Sequence, residues 1–231
     1  MNVKYIRAKS ILTKSTLGKY TINHYVGCHH ACTYCYARLY GKKYYGLDDW
    51  DNTVIVKQNA VQLARKSVKP GMTVWMSSMS DPYQPIEAKE KLTRQLIGVL
   101  GAKGANIEIL TKSPLVLRDA DLIKRYDALV GFTIVSTRRI DAERRAPHPK
   151  ARIEALKKLK ENGIRTYLFV GPILPETDVE EIVRQTHKYA DFYYFDRLRH
   201  VKELGIEPFR PDKAEIMRVA REYEIKAHIL F

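Results

Sequence analysis

The chain has 231 residues and a formal net charge of +14, long enough for one domain with a core of its own. Apolar and charged shares of 45% and 29% are those of an ordinary globular protein, so a disordered or collagen-like chain is excluded. No window approaches the roughly 18 apolar residues of a spanning helix, and residues 1–9 lack an apolar core, so neither a membrane span nor a secretory signal is expected and the cytoplasm is the expected compartment.

In chain order, residues 21–26 read as a strand that leads into a cysteine-rich loop. Residues 73–76 form a short apolar strand, stopped by Ser77-Ser78-Met79-Ser80-Asp81-Pro82. Residues 87–100 carry Leu92, Leu96, Val99 and Leu100 at helical spacing. A strand over 107–110, a helix over 115–126 and a strand over 129–135 follow. The next helix spans 150–161 and stops at Asn162-Gly163. Then come a strand over 164–170, a helix over 178–189 and a strand over 192–195. Asp212 and Glu215 have capping-box spacing for a helix to residue 223, and residues 225–231 close the chain as a strand or tail. Repeated strand–helix units with apolar strands predict a parallel sheet covered by helices, either an open doubly wound sheet or a curved, partly closed barrel.

The charge is unevenly spread. Eight basic and no acidic residues precede Asp48, and ten basic against four acidic residues lie between Arg138 and Arg165. Such a surplus fits a charge-rich surface or a partner with phosphates. Arg138, Arg139, Arg144 and Arg145 suit bidentate phosphate recognition. Lys42 and Lys43 beside Tyr44, Tyr45 and Trp50 mix cations with stacking surfaces, as a nucleic-acid contact would. Without a flexible linker, the division expected is a basic arm over residues 1–19 and one domain, with a C-terminal extension, over 20–231.

The three cysteines, Cys28, Cys32 and Cys35, fall within eight residues. An odd, clustered set is no disulfide framework and points to a metal. Thiolates are soft ligands suited to an iron–sulfur cluster; a zinc site completed by His24, His29 or His30 is the alternative.

The Cys-x3-Cys-x2-Cys loop after a first strand resembles the radical S-adenosylmethionine superfamily. Tyr34-Cys35-Tyr36-Ala37, Ser80-Asp81-Pro82-Tyr83-Gln84-Pro85-Ile86-Glu87, Leu110-Thr111-Lys112-Ser113-Pro114 and Gly171-Pro172-Ile173-Leu174-Pro175 are similar to its spore photoproduct lyase-related branch. The resemblance implies an α/β fold, a partial (β/α)6 TIM-like barrel with its site at the C-terminal ends of the strands. It implies one [4Fe–4S] cluster on the three cysteines, with S-adenosylmethionine on the fourth iron, cleaved by one electron to methionine and a 5′-deoxyadenosyl radical. The electron would come from a donor such as flavodoxin or ferredoxin.

By the same resemblance, Tyr34 lies beside the adenine and Tyr36 relays a hydrogen atom. Ser80 or Asp81 meets the amino group of S-adenosylmethionine and Lys112 its carboxylate. Thr133 and Ser136 approach the ribose, and Gly171 and Pro172 wall the adenine. Ser78 stands about where lyases of this branch carry a hydrogen-donating cysteine. A serine O–H is a far poorer hydrogen-atom donor, which argues against dimer repair by that route. The expected substrate is DNA or RNA; a peptide or a phosphorylated metabolite is the enzymatic alternative, and a zinc-stabilised nucleic-acid-binding protein the non-catalytic one.

Overall fold

The structure, a computed structural model, describes residues 2–14 and 20–231. Its strands are β1 (Asn2–Ile6), β2 (Leu12–Lys14), β3 (Tyr20–Ile22), β4 (Tyr25–Val26), β5 (Thr53–Lys57), β6 (Thr73–Met76), β7 (Asn106–Thr111), β8 (Leu129–Thr133), β9 (Thr166–Ile173), β10 (Phe192–Arg197) and β11 (Ala227–Ile229). Its helices are α1 (Ala37–Tyr45), α2 (Ala60–Ser67), α3 (Glu87–Glu90), α4 (Leu92–Ala102), α5 (Ala120–Arg125), α6 (Pro149–Glu161), α7 (Val179–Thr186), α8 (Val201–Leu204) and α9 (Lys213–Glu222).

The main sheet runs β11-β10-β9-β8-β7-β6-β3-β2. Every pair from β3 to β11 is parallel, and β2 joins β3 antiparallel at one edge. This is the α/β fold expected, a partial barrel of (β/α) units, with β11 added as a further parallel strand. Between the sheet and its helices lies the main core, built from residues such as Met76, Leu96, Ile109, Phe132 and Leu168. Helix α4 shows how the pattern works: Leu92, Leu96, Ile97 and Leu100 are buried on one face, each contributing about 1.5–3 kcal/mol.

Several expectations change; the helix over 115–126, for one, is a 3-10 turn over Pro114–Asp119 followed by the short α5. The strand over 21–26 divides at Asn23-His24 into β3, in the main sheet, and β4, which joins β5 and β1 in a second sheet. The helix over 87–100 breaks at Lys91, which takes a left-handed conformation between α3 and α4. Strand β9 runs on to Ile173, so Gly171 and Pro172 lie inside its last turn of pleat, opposite the register shift in β10. At α9, Asp212 caps as expected but accepts from the Ala214 amide.

Residues 2–14, expected as part of a basic arm, carry β1 and β2, paired to β5 and β3 respectively. Met1 and residues 15–19, including Lys19, lie outside the described residues.

The second sheet delivers the cysteine loop. Gly27 leaves β4 with φ +88°, and a Cβ there would sit 2.2 Å from the Thr53 carbonyl oxygen. Gly27→Ala is therefore expected to cost at least about 1–3 kcal/mol in backbone strain, with the clash added. An unchanged urea midpoint for that variant would contradict this account of the turn.

Candidate active site

Cys28, Cys32 and Cys35 line a cavity of about 640 Å³ at the C-terminal ends of the barrel strands. The loop that carries them is held from several sides. The Gln84 side chain, fully buried, donates to the Gly27 carbonyl (2.9 Å) and accepts from the His29 amide (3.0 Å), so it brackets Cys28. Arg38 donates to the Cys32 carbonyl (2.9 Å) and to Asp51 (3.1 Å). The Thr33 amide donates to the Ala142 carbonyl (3.1 Å), which ties the loop to the segment after β8.

Burial pushes all three thiols up, Cys32 to about 12 and Cys28 well above its ordinary value. Only positive charge brought to the loop would draw out the thiolates that ligate metal. Among the described residues no set of three His, Cys, Asp or Glu side chains converges on one metal ion. Three soft thiols along one cavity wall have the chemistry that an iron–sulfur cluster takes. His24 lies fully buried away from this cavity, its Nε2 2.8 Å from the Thr93 hydroxyl. His29 does not line the cavity and His30 does.

The remaining cavity wall comes from the strand ends. Tyr34, Tyr36, Ser78, Ser80, Asp81, Lys112, Thr133, Gly171 and Pro172 all line it. The Tyr36 hydroxyl donates to the backbone carbonyl of Ser78 (3.0 Å), so these two candidates meet after β6. The Ser78 hydroxyl lies 3.3 Å from the Asn23 side chain, and the Ser80 hydroxyl 2.8 Å from that of Ser77.

Asp81 accepts from the Tyr83 amide (2.8 Å), the Thr111 hydroxyl (2.6 Å) and the Lys112 amide (2.7 Å), with His30 Nδ1 at 3.4 Å. Burial alone would raise its carboxyl, but His30 and these donors outweigh it and hold it at about 2. With its lone pairs met inside the protein, Asp81 braces the end of β7, and Ser80 is the freer acceptor of the two.

A buried network behind Lys112 has no trace in the sequence reading. Glu143 takes Arg152 Nη1 at 2.6 Å and Lys112 Nζ at 3.7 Å, and the Tyr34 hydroxyl donates to it. Lys112 also stands over the Tyr34 ring, 5.5 Å from its centroid. Arg152 is 1% exposed and donates to the Pro147 and Thr133 carbonyls. Burial disfavours the Lys112 ammonium, yet Cys32 and Glu143 more than compensate and raise its pKa. Lys112 is thus a largely buried cation, its side chain 15% exposed, with Glu143 and Cys32 near its charge.

Ser136 is buried, accepts from the Arg138 amide (3.1 Å) and does not line this cavity. The basic candidates also stand outside it. Lys42 pairs with Asp48 (3.2 Å), and Lys43 sits over the Tyr44 ring. Arg138 is exposed. Arg139, Arg144 and Arg145 border a neighbouring cleft of about 390 Å³ that shares His30 with the first, and Arg145 is tied to Asp51 and Asn52. The cavity itself receives Arg197, Arg199 and His200 from the end of β10, none of them marked by a local motif.

The family model of the Radical SAM superfamily matches residues 22–186, from β3 to the end of α7. The chain belongs to the radical SAM superfamily. That superfamily consists of enzymes that carry an iron–sulfur cluster and use S-adenosylmethionine. An uncharacterized protein of Methanocaldococcus jannaschii is 44% identical over 181 residues, 76% of this chain and 69% of that protein. An uncharacterized protein of Mycobacterium bovis is 33% identical over 178 residues, 71% of this chain, and the match spans only 52% of the mycobacterial protein. Among solved structures, spore photoproduct lyase complexed with dinucleoside spore photoproduct superposes with a TM-score of 0.74, over 99% of this chain and 82% of that one, at 15% identity. A mutant of that lyase with bound AdoMet and the same dinucleoside gives 0.71 at 14% identity, over 99% and 81%. At this identity the likeness is one of fold, and it covers the radical SAM barrel and the residues after it alike. No helix among the described residues is long and apolar enough to cross a membrane.

Proposed function

We propose that this radical SAM enzyme binds one [4Fe–4S] cluster through Cys28, Cys32 and Cys35, cleaves S-adenosylmethionine, and acts on a nucleic acid. The observation that carries the reading is the meeting of three thiols, a half-buried lysine and the Tyr36–Ser78 contact around one cavity. When bound, the cluster and S-adenosylmethionine supply a 5′-deoxyadenosyl radical after one electron arrives from a donor of the flavodoxin or ferredoxin class.

The chain's own residues then have separable tasks. Lys112 meets a carboxylate with a charge that Glu143 keeps in place. Ser80 accepts from an amino group, while Asp81 fixes the strand end from which Lys112 projects. Tyr34 and the Gly171-Pro172 edge wall an adenine, and Thr133 lies within reach of a ribose. Tyr36 is the candidate for relaying a hydrogen atom between cavity and substrate. Ser78 offers a hydroxyl where a thiol would donate hydrogen readily, so the reading does not extend to thymine-dimer repair by a cysteine at that position.

A nucleic-acid substrate is supported by the +14 charge and by the fold shared with a lyase that holds a dinucleoside photoproduct. Ordered tyrosines along α1 add stacking surfaces at the cavity. The test is anaerobic purification and reconstitution, with iron, sulfide and zinc assayed before S-adenosylmethionine and dithionite are added. Four irons per chain with 5′-deoxyadenosine released is the expected result. Zinc without sulfide would reject the enzyme in favour of a basic binding protein. Cleavage without any salt-sensitive affinity for DNA or RNA would move the substrate to a peptide or a phosphorylated metabolite.

A further inference from the structure

Helix α1 begins at Ala37, two residues after Cys35, and Tyr36 at its N-cap, Tyr40 and Tyr44 recur at every fourth position along one side of it. The Tyr36 and Tyr40 rings meet edge to face at 5.9 Å between centroids, and Tyr40 and Tyr44 stack at 6.1 Å with planes 10° apart. The His200 ring lies 6.2 Å from both Tyr36 and Tyr40. Tyr36, Tyr40 and His200 line the cavity, whereas Tyr44 is 64% exposed. The rings therefore make a continuous aromatic path from the cysteine cavity to the outside.

Core packing does not explain that path, because its outermost ring is exposed beyond its contacts with Tyr40 and Lys43. Basic charges stand beside it, together with the carboxylates of Asp196 on the cavity wall and of Glu203, 3.7 Å from His200 Nδ1. Lys43 stands over Tyr44, and the exposed Arg197 side chain, at the cavity wall, has no hydrogen-bond or ion-pair partner among the described residues. Arg199, by contrast, is held by Asp196 and the Leu230 carbonyl. Flat rings with free cations at their edge match a ligand of flat bases joined by phosphates. An extended peptide would need strand edges or apolar side-chain pockets instead.

We propose that Tyr36, Tyr40 and Tyr44, with His200 opposite, form a stacking ladder that receives an unstacked base of single-stranded or locally opened nucleic acid and leads it into the cavity, with Arg197 and Lys43 meeting the flanking phosphates. The proposal rests on the nucleic-acid reading above and adds the place and the mode of binding. The entry runs along α1, on the side of the cysteine loop where β10 ends, and not over the arginine cleft that shares His30.

The experiment is fluorescence anisotropy of the reconstituted protein with short labelled single-stranded DNA and RNA, over a series of salt concentrations. Tyr40→Ala and Tyr44→Ala are each expected to weaken binding on the order of 10- to 100-fold, with the dependence on salt unchanged, and Tyr44→Phe to restore it. Arg197→Ala is expected to weaken binding and also to lower the salt slope by about one. Tyr5→Ala removes another exposed tyrosine, 45% accessible and remote in sequence, and controls for general loss of surface aromatics. Unaltered affinity in both ladder alanine variants, or an equal loss in Tyr5→Ala, would overturn the ladder while leaving the nucleic-acid reading intact. A parent protein that binds neither DNA nor RNA at low salt would overturn the reading and the ladder together.

Discussion

Cys32→Ala is expected to abolish iron–sulfur loading and, with it, all release of 5′-deoxyadenosine. Three protein thiolates are the minimum that holds three irons and leaves one open to S-adenosylmethionine. Loss of one leaves the site without its closed set, so the effect is on loading and not merely on rate. Cys32 stands next to the Lys112 charge, which is the first influence after burial acting on its thiol. Its deletion should leave the fold in place, since the barrel core is a separate cluster of side chains. The measurements are iron and sulfide per chain, the visible absorption of the cluster, and circular dichroism. A variant that keeps four irons and cleaves S-adenosylmethionine would end the cluster assignment. One that loses iron but also unfolds would call for Cys32→Ser, which keeps the side-chain volume.

The cysteine loop was legible because Cys28, Cys32 and Cys35, the three cysteines of the chain, fall within eight residues. The parallel strands were legible for a similar reason: each is a short, buried apolar run, as in β8, where Leu129 to Thr133 is covered almost throughout. Helices α4, α6 and α9 carried their apolar stripe or cap within one stretch of chain. What escaped depends on partners distant in sequence. No element was read in residues 37–72, where the structure has α1, β5 and α2. Helix α1 is Ala-Arg-Leu-Tyr-Gly-Lys-Lys-Tyr-Tyr, with Ala37 and Gly41 its buried residues, so no stripe of large apolar side chains announces it. Gly41 is there because a Cβ would collide with the Trp50 ring at 2.6 Å, a reason visible only once the helix is folded onto Trp50. Strand β5 is buried along its whole length with β1 and β4 flanking it, and those pairings join residues about fifty and about thirty positions apart. In the candidate site the same rule holds. Gln84 was part of a recognised block, yet its purpose, bracketing Cys28 from both sides, appears only when the loop and the strand end meet.

Glu143 is the clearest case, and its removal carries the second large effect. Glu143→Ala is expected to destabilise the protein by about 3–5 kcal/mol, because it leaves Arg152 buried without its counter-charge. The carboxylate is 4% exposed and the guanidinium 1%, so water cannot take over the solvation of either. An unfolding free energy from urea titration within about 1 kcal/mol of the parent would show the network to be dispensable. Replacing both partners by apolar residues, as in Glu143→Leu with Arg152→Met, should recover much of the loss, since the orphaned charge is then gone. The pH dependence follows from the carboxyl itself. Burial acts to raise its pKa, but Lys112 and Arg152 outweigh burial and hold it below the ordinary value. A lowered folded-state pKa means that this stabilisation is complete above the unfolded value, about 4.3 for a glutamate, and is lost as pH falls through the folded one. Asp81 is also held low, at about 2, and loses its contribution in an overlapping acid range. The contribution of Glu143 is therefore the difference between parent and Glu143→Gln, which should shrink as the pH is lowered below about 4. The same variant separates structure from catalysis. Glu143 touches Lys112 and Tyr34 and not the cavity, so it is a positioning residue. At neutral pH, in a folded Glu143→Gln protein, the KM for S-adenosylmethionine should rise while iron content stays at the parent level. An unchanged KM would confine the network to stability and leave Lys112 held by the Asp81 side alone.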